Sequence, residues 1–103
     1  MKTLVKLVVP FAVLVSAPAF ADQALATKSG CMACHAAEKK VVGPAFQEIA
    51  KKYAGDAGAA AKLAEKIKTG GKGNWGPVPM PPHPQVNDAD RLKLANWVLK
   101  GGK

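Results

Sequence analysis

Both cysteines of this 103-residue chain and one of its two histidines fall within five positions, Cys31-Met32-Ala33-Cys34-His35. Two thiols at this spacing, followed at once by an imidazole, support three chemistries. Cys31 and Cys34 alone could form a dithiol redox pair. Together with His35 they could supply three of the four ligands of a zinc ion. The full C-x-x-C-H spacing is that of a c-type haem attachment site.

The surrounding sequence discriminates among these. A redox C-x-x-C pair normally opens a helix in a β-α-β setting, and no segment here alternates like a strand. Zinc would need a fourth ligand from His83 or a carboxylate. Haem attachment uses every residue of the motif. Two thiols on one tight turn reach vinyl groups on one side of a porphyrin, and the next side chain, His35, can direct its imidazole at the iron. The favoured cofactor is one haem c per chain, bound covalently through Cys31 and Cys34.

His35 leaves the other axial position of the iron to be filled. Met32 lies inside the attachment turn, and Met1 belongs to a leader. That leaves Met80 and His83. Met80 sits in "GPVPMPPHP", where Pro77, Pro79, Pro81 and Pro82 stiffen the backbone and can hold a thioether in place without a helix. Met80 is therefore the favoured second ligand, with gap-filling packing as its ordinary alternative. A soft thioether favours ferrous iron and raises the potential. With both axial positions filled, no place is open for oxygen or peroxide, which describes a one-electron shuttle and not an enzyme.

These residues need elements to hold them. Residues 1–21 read as a secretory signal peptide: Lys2 and Lys6, an apolar run from Leu7 to Val15, then Ala19-Phe20-Ala21. Pro10, Pro18 and the short run argue against a spanning helix, which needs about 20 apolar residues. Cleavage leaves 82 residues, 22–103, as one domain, and lowers the formal charge from +8 to +6. Such a chain buries only about 60% of its unfolded surface and wants a staple. A disulfide across Met32 and Ala33 closes too small a loop to serve; a haem supplies the missing core.

The remaining pattern predicts an all-α domain of about four helices. Asp22 caps a first helix to Lys28, stopped by Gly30. Pro44 suits the first position of a second helix with Phe46, Ile49, Ala50 and Tyr53 on one face, ended by Gly55. A third runs over 59–69, with Ala60, Leu63, Ala64 and Ile67 aligned, and stops at Gly70. Residues 70–86 hold five of the eight prolines and four glycines, a long loop of the kind that carries function. Asn87 or Asp88 caps a last helix to about Lys100, with Leu94, Trp97 and Val98 in one stripe and Gly101 and Gly102 beyond it.

Three stretches in this order, "GCMACH", "VVGPAF" and "NWGPVPMPP", resemble the short bacterial class I monohaem cytochromes c of the c-551 type, over essentially all of residues 22–100. The resemblance implies thioethers from Cys31 and Cys34 and iron ligation by His35 and Met80. It implies that the Pro44 carbonyl orients the proximal imidazole. It also implies that the Trp75 indole donates to a haem propionate. Lys66 falls where relatives often carry an arginine to that propionate; an ammonium can act there as a point charge but not as a fork. Trp97 reads as core, at the crossing of the first and last helices. His83 departs from the pattern, standing where relatives often have asparagine, and Pro84 with an extra residue also alters that loop.

The function implied is a periplasmic electron carrier. Its partners are redox proteins: membrane cytochrome complexes as donors, a terminal oxidase or reductase as acceptor, met as a monomer in transient encounters. Excess lysine suits acidic partners. The expected docking rim is Met32, Ala33, Val41, Val42, Val78 and Pro79. "TGGKGNWG" lacks the phosphate-loop spacing, and no nucleic-acid motif accompanies the basic charge. The alternative function is a ligand-binding or peroxidatic haem protein with a labile Met80.

Overall fold

The computed structural model describes residues 19–103. The expected leader, 1–21, lies outside the described residues up to position 18. Four helices carry the described chain: α1 over Ala19–Lys28, α2 over Phe46–Lys52, α3 over Ala59–Thr69 and α4 over Asp88–Leu99. A single 3₁₀ turn, Cys31–Ala33, follows α1. Among the described residues there are no strands, only two isolated bridges, His35 with Lys40 and Gly71 with Met80. None of the described helices is long and apolar enough to cross a membrane.

The helices form for local reasons the sequence largely states. In α4, Asn87 is extended at φ −73°, ψ 168°, and its side-chain oxygen accepts from the Asp90 amide at 2.8 Å, satisfying one of the free amides of the first turn. The acidic Asp88 and Asp90 in that turn favour the positive end of the helix dipole. Helix α3 keeps its expected bounds, with Ala59 and Ile67 buried.

Two starts differ from expectation. Helix α1 is described from Ala19, which puts Asp22 in its first turn and not at its cap. Helix α2 begins at Phe46, with Ala45 as its cap at φ −62°, ψ 146°. Pro44 therefore stands before the helix. The first-turn amides of Phe46 and Gln47 donate instead to the carbonyls of Ala36 and Ala37, at 2.8 and 3.0 Å. The loop after the cysteines is thereby pinned to the start of α2.

The core lies where α1, α2 and α3 pack on α4. Ala26, Phe46, Ile49, Ile67, Val86, Leu94 and Trp97 form one buried cluster. Trp97 is core, as expected, and meets the Phe46 ring edge-on at 5.1 Å between centroids. Such a pair adds about 0.5–1.5 kcal/mol beyond the area that it buries. Leu94 is 1% exposed and Leu92, on the opposite side of α4, is 46% exposed. Leu94→Ala should therefore cost about 2–5 kcal/mol, whereas Leu92→Ala should stay within about 0.5 kcal/mol. Denaturant unfolding of the two variants beside the parent checks this; equal costs would mean that α4 packs through a different face.

Candidate cofactor site

The site begins at the 3₁₀ turn. The amides of Cys34 and His35 both donate to the Cys31 carbonyl, at 3.2 and 3.0 Å, which winds the motif tightly enough to put two thiols on one turn. The Cys34 carbonyl then accepts from Val42 at 3.1 Å and Gly43 at 2.7 Å. This folds the following loop back beneath the turn and brings "GP" to the imidazole.

There the fit is close. His35 Nδ1 lies 2.7 Å from the Pro44 carbonyl oxygen. A carbonyl only accepts, so Nδ1 carries the proton and Nε2 keeps a free lone pair. A Cβ at Gly43 would stand 2.5 Å from His35 Cε1, so no larger residue fits between backbone and ring. The imidazole also stacks on Phe46, at 5.2 Å between centroids and 23° between planes. The ring is held by a hydrogen bond, a backbone wall and an aromatic face.

Met80 is placed by a different device. Its amide donates to the Gly71 carbonyl at 2.7 Å, and its carbonyl accepts from the Gly71 amide at 3.1 Å. Gly70, at φ 78°, has no room for a side chain, since a Cβ would come within 2.5 Å of the Met80 carbonyl oxygen. The His83 amide donates to the Ile67 carbonyl at 2.8 Å, tying the loop to the end of α3. These contacts hold a proline-rich segment that contributes little regular structure of its own.

One cavity gathers the expected residues. Cys31, Cys34, His35, Pro44, Lys66, Trp75 and Met80 all line it. His83 and Trp97 line it too. The His83 Nδ1 and Trp97 Nε1 atoms are buried and have no hydrogen-bond partner among the protein groups. A flat apolar macrocycle with polar edges fits this lining: it fills an apolar cleft and offers its polar periphery to buried nitrogens that otherwise have none.

The Cys31 thiol fits the same reading. Burial pushes the Cys31 thiol above its ordinary range; a backbone hydrogen bond at Cys31 opposes this, and the nearby Cys34 adds to it. A redox dithiol needs the opposite direction, a stabilised thiolate. Among the described residues, no three His, Cys, Asp or Glu side chains converge as metal ligands do, so the zinc arrangement is not formed.

The Cytochrome c family profile matches residues 22–101 of the chain. The chain belongs to the cytochrome c family. It is 50% identical to cytochrome c-551 of Allochromatium vinosum over 88 residues, covering 85% of this chain and 94% of that protein. It is 54% identical to cytochrome c-552 of Nitrosomonas europaea, covering 85% of each. The crystal structure of wild-type Nitrosomonas europaea cytochrome c552 superposes with a TM-score of 0.74, covering 76% of this chain and 96% of that one. The expected class I cytochrome c fold is thus found. As a cytochrome c, the chain carries a covalently attached haem c, with Cys31 and Cys34 at the attachment spacing, and its general function is electron transfer.

Trp75 lines the cavity at its exposed edge, with the Lys52 ammonium 5.4 Å from its ring centroid. Two other side chains of this cytochrome c sit otherwise than the sequence suggests. Met32, expected on the rim, is half-buried against the core. Arg91, not singled out from the sequence, is 7% exposed and is the buried charge of the described residues. Its signal was present: Arg91, Leu94, Ala95 and Val98 occupy i, i+3, i+4 and i+7, so the only arginine in the chain falls on the apolar stripe of α4.

Gly43→Ala tests the imidazole clamp. The added methyl must displace His35 or its loop, at a cost of about 1–3 kcal/mol. Lower stability of the holoprotein and an altered ferric spectrum are expected. An unchanged spectrum and melting curve would show that the close approach at Gly43 does not hold the ring.

Proposed function

We propose that residues 22–103, released from a leader over 1–21, act in the periplasm as a one-electron carrier between membrane cytochrome complexes and a terminal oxidase or reductase. The observation that carries this reading is the His35 imidazole, its Nδ1 proton committed to Pro44 and its Nε2 left free in the cavity that Met80 also lines. Haem c, when bound, supplies the ferric/ferrous couple.

The protein's own residues do the rest. Cys31 and Cys34 form thioethers, which keep the group in register with His35. His35 Nε2 and the Met80 thioether would hold the iron. The Pro44 carbonyl keeps the imidazole basic and correctly turned. The Met80 sulfur favours the reduced state and so raises the potential. Lys66, half-buried with its stem against Gly71, and Trp75 line the same cavity and would hold the propionates. The apolar lining excludes water, which lowers the reorganisation that accompanies a change in charge.

Partners meet the cleft edge as a transient encounter with a monomer. Val41, Val42 and Val78 are exposed by 47, 49 and 60%, and Val42, Val78 and Pro79 also line the cavity. This supports a small apolar contact that lets a partner leave quickly. The net charge supports steering toward acidic surfaces.

Two measurements test the proposal. The ferrous holoprotein should not bind carbon monoxide at neutral pH; ready binding would favour a ligand-binding or peroxidatic protein with a labile Met80. Val42→Ser with Val78→Ser should slow electron exchange with an acidic redox protein about tenfold or less, within the range by which association rates vary at one interface. The potential should stay unchanged. An unaltered rate would move the docking face elsewhere.

A further inference from the structure

The buried Arg91 guanidinium has no place in electron transfer as described, and burying a cation is costly unless its partners hold it. It has two. Nη1 donates to the Val86 carbonyl, and Nη2 pairs with the Asp88 carboxylate. The two partners differ in kind. The Asp88 side chain is 93% exposed, and such a pair contributes little. Val86 is 4% exposed and belongs to the core cluster, so its carbonyl depends on this donor.

Val86 is also the last residue of the loop that bears Met80. Between Pro77 and Val86, half of the ten residues are prolines and have no N–H to donate. The segment has more carbonyls than amides and cannot close its own ladder. Its ties are few: Met80 to Gly71 on one side, His83 to Ile67 in the middle, and at the far end the Val86 amide on the His83 carbonyl at 3.2 Å. Arg91 provides the tie from α4. It anchors the loop to the rigid helix just beyond the residue that must stay against the cofactor.

We propose that Arg91 is a positioning residue for Met80: by fastening the Val86 carbonyl to α4, it holds the 70–86 loop shut and keeps the thioether from leaving its place in the cavity. This rests on Met80 being an axial ligand. The loop has two states, closed with the thioether engaged and open with the position free. An external ligand sees only the open fraction, so its apparent affinity rises in proportion to that fraction. Replacing the guanidinium by an apolar side chain of similar length removes the tie while keeping the packing of the stem. Asp88 stays in water when the guanidinium is lost, so the buried group left without a donor is the Val86 carbonyl, and the cost falls on the loop. Comparing exchange in the loop with exchange in α3 separates this local effect from a fall in global stability.

The test titrates imidazole into the ferric holoprotein and its Arg91→Met, Arg91→Lys and Asp88→Ala variants, with the far-red absorption of methionine-ligated iron as readout. Thermal unfolding and amide hydrogen exchange of Met80 and His83 are measured on each. Arg91→Met should bind imidazole about tenfold more tightly, the shift expected for losing one hydrogen bond to a charged group, and should speed exchange at Met80 and His83 relative to amides of α3. Arg91→Lys, a single point donor, should fall between. Asp88→Ala should stay near the parent. If Arg91→Met leaves affinity and exchange unchanged, or if Asp88→Ala matches it, the positioning role is overturned while the ligand assignment stands. If the parent itself lacks the far-red absorption, the assignment of Met80 fails, and this proposal with it.

Discussion

The hydrogen bond from His35 Nδ1 to the Pro44 carbonyl, at 2.7 Å, decides what the imidazole can do. With that proton committed, Nε2 has only its lone pair to offer, and it offers it into the cavity. Much of the surrounding structure exists to make that bond. The Cys34 carbonyl draws in Val42 and Gly43, and the Ala36 and Ala37 carbonyls hold the first amides of α2. Gly43 leaves the ring room, and Phe46 supports it from beneath while reaching Trp97 on α4. The attachment turn and the hydrophobic core are therefore one packed unit.

The other wall is built on the opposite principle. The segment 70–86 has few amides and no helix, so it is located by contacts with elements that are rigid. Gly71 clamps the backbone of Met80, the Ile67 carbonyl accepts from the His83 amide, and Arg91 donates to the Val86 carbonyl. Prolines lower the entropy that the loop loses on ordering. A stiff segment with a few firm ties can present a thioether at a fixed place. Its stability is a matter of ties and not of buried area.

The two walls were unequally legible in the sequence. C-x-x-C-H is a local pattern in which spacing and chemistry coincide, and the four helices announce themselves by period, caps and glycine stops. What escaped depends on contacts between distant residues. Pro44 looks like a first helical residue because its fixed φ suits one, yet its carbonyl is needed by His35 and the helix starts at Phe46. Arg91 looks like surface because arginine usually is; that Val86 would bury a carbonyl in need of a donor cannot be read from the helix pattern alone. The burial of Met32 likewise follows from how the turn lies on the core.

The central claim is that iron is held between His35 and Met80. The most direct test is the absorption spectrum of the ferric protein, purified after haem maturation, beside Met80→Ala and His83→Ala. The account predicts a covalent c-type spectrum with the weak far-red band of methionine-ligated iron in the parent and in His83→Ala, and its loss in Met80→Ala. A parent without that band, or a band that survives in Met80→Ala, would contradict it.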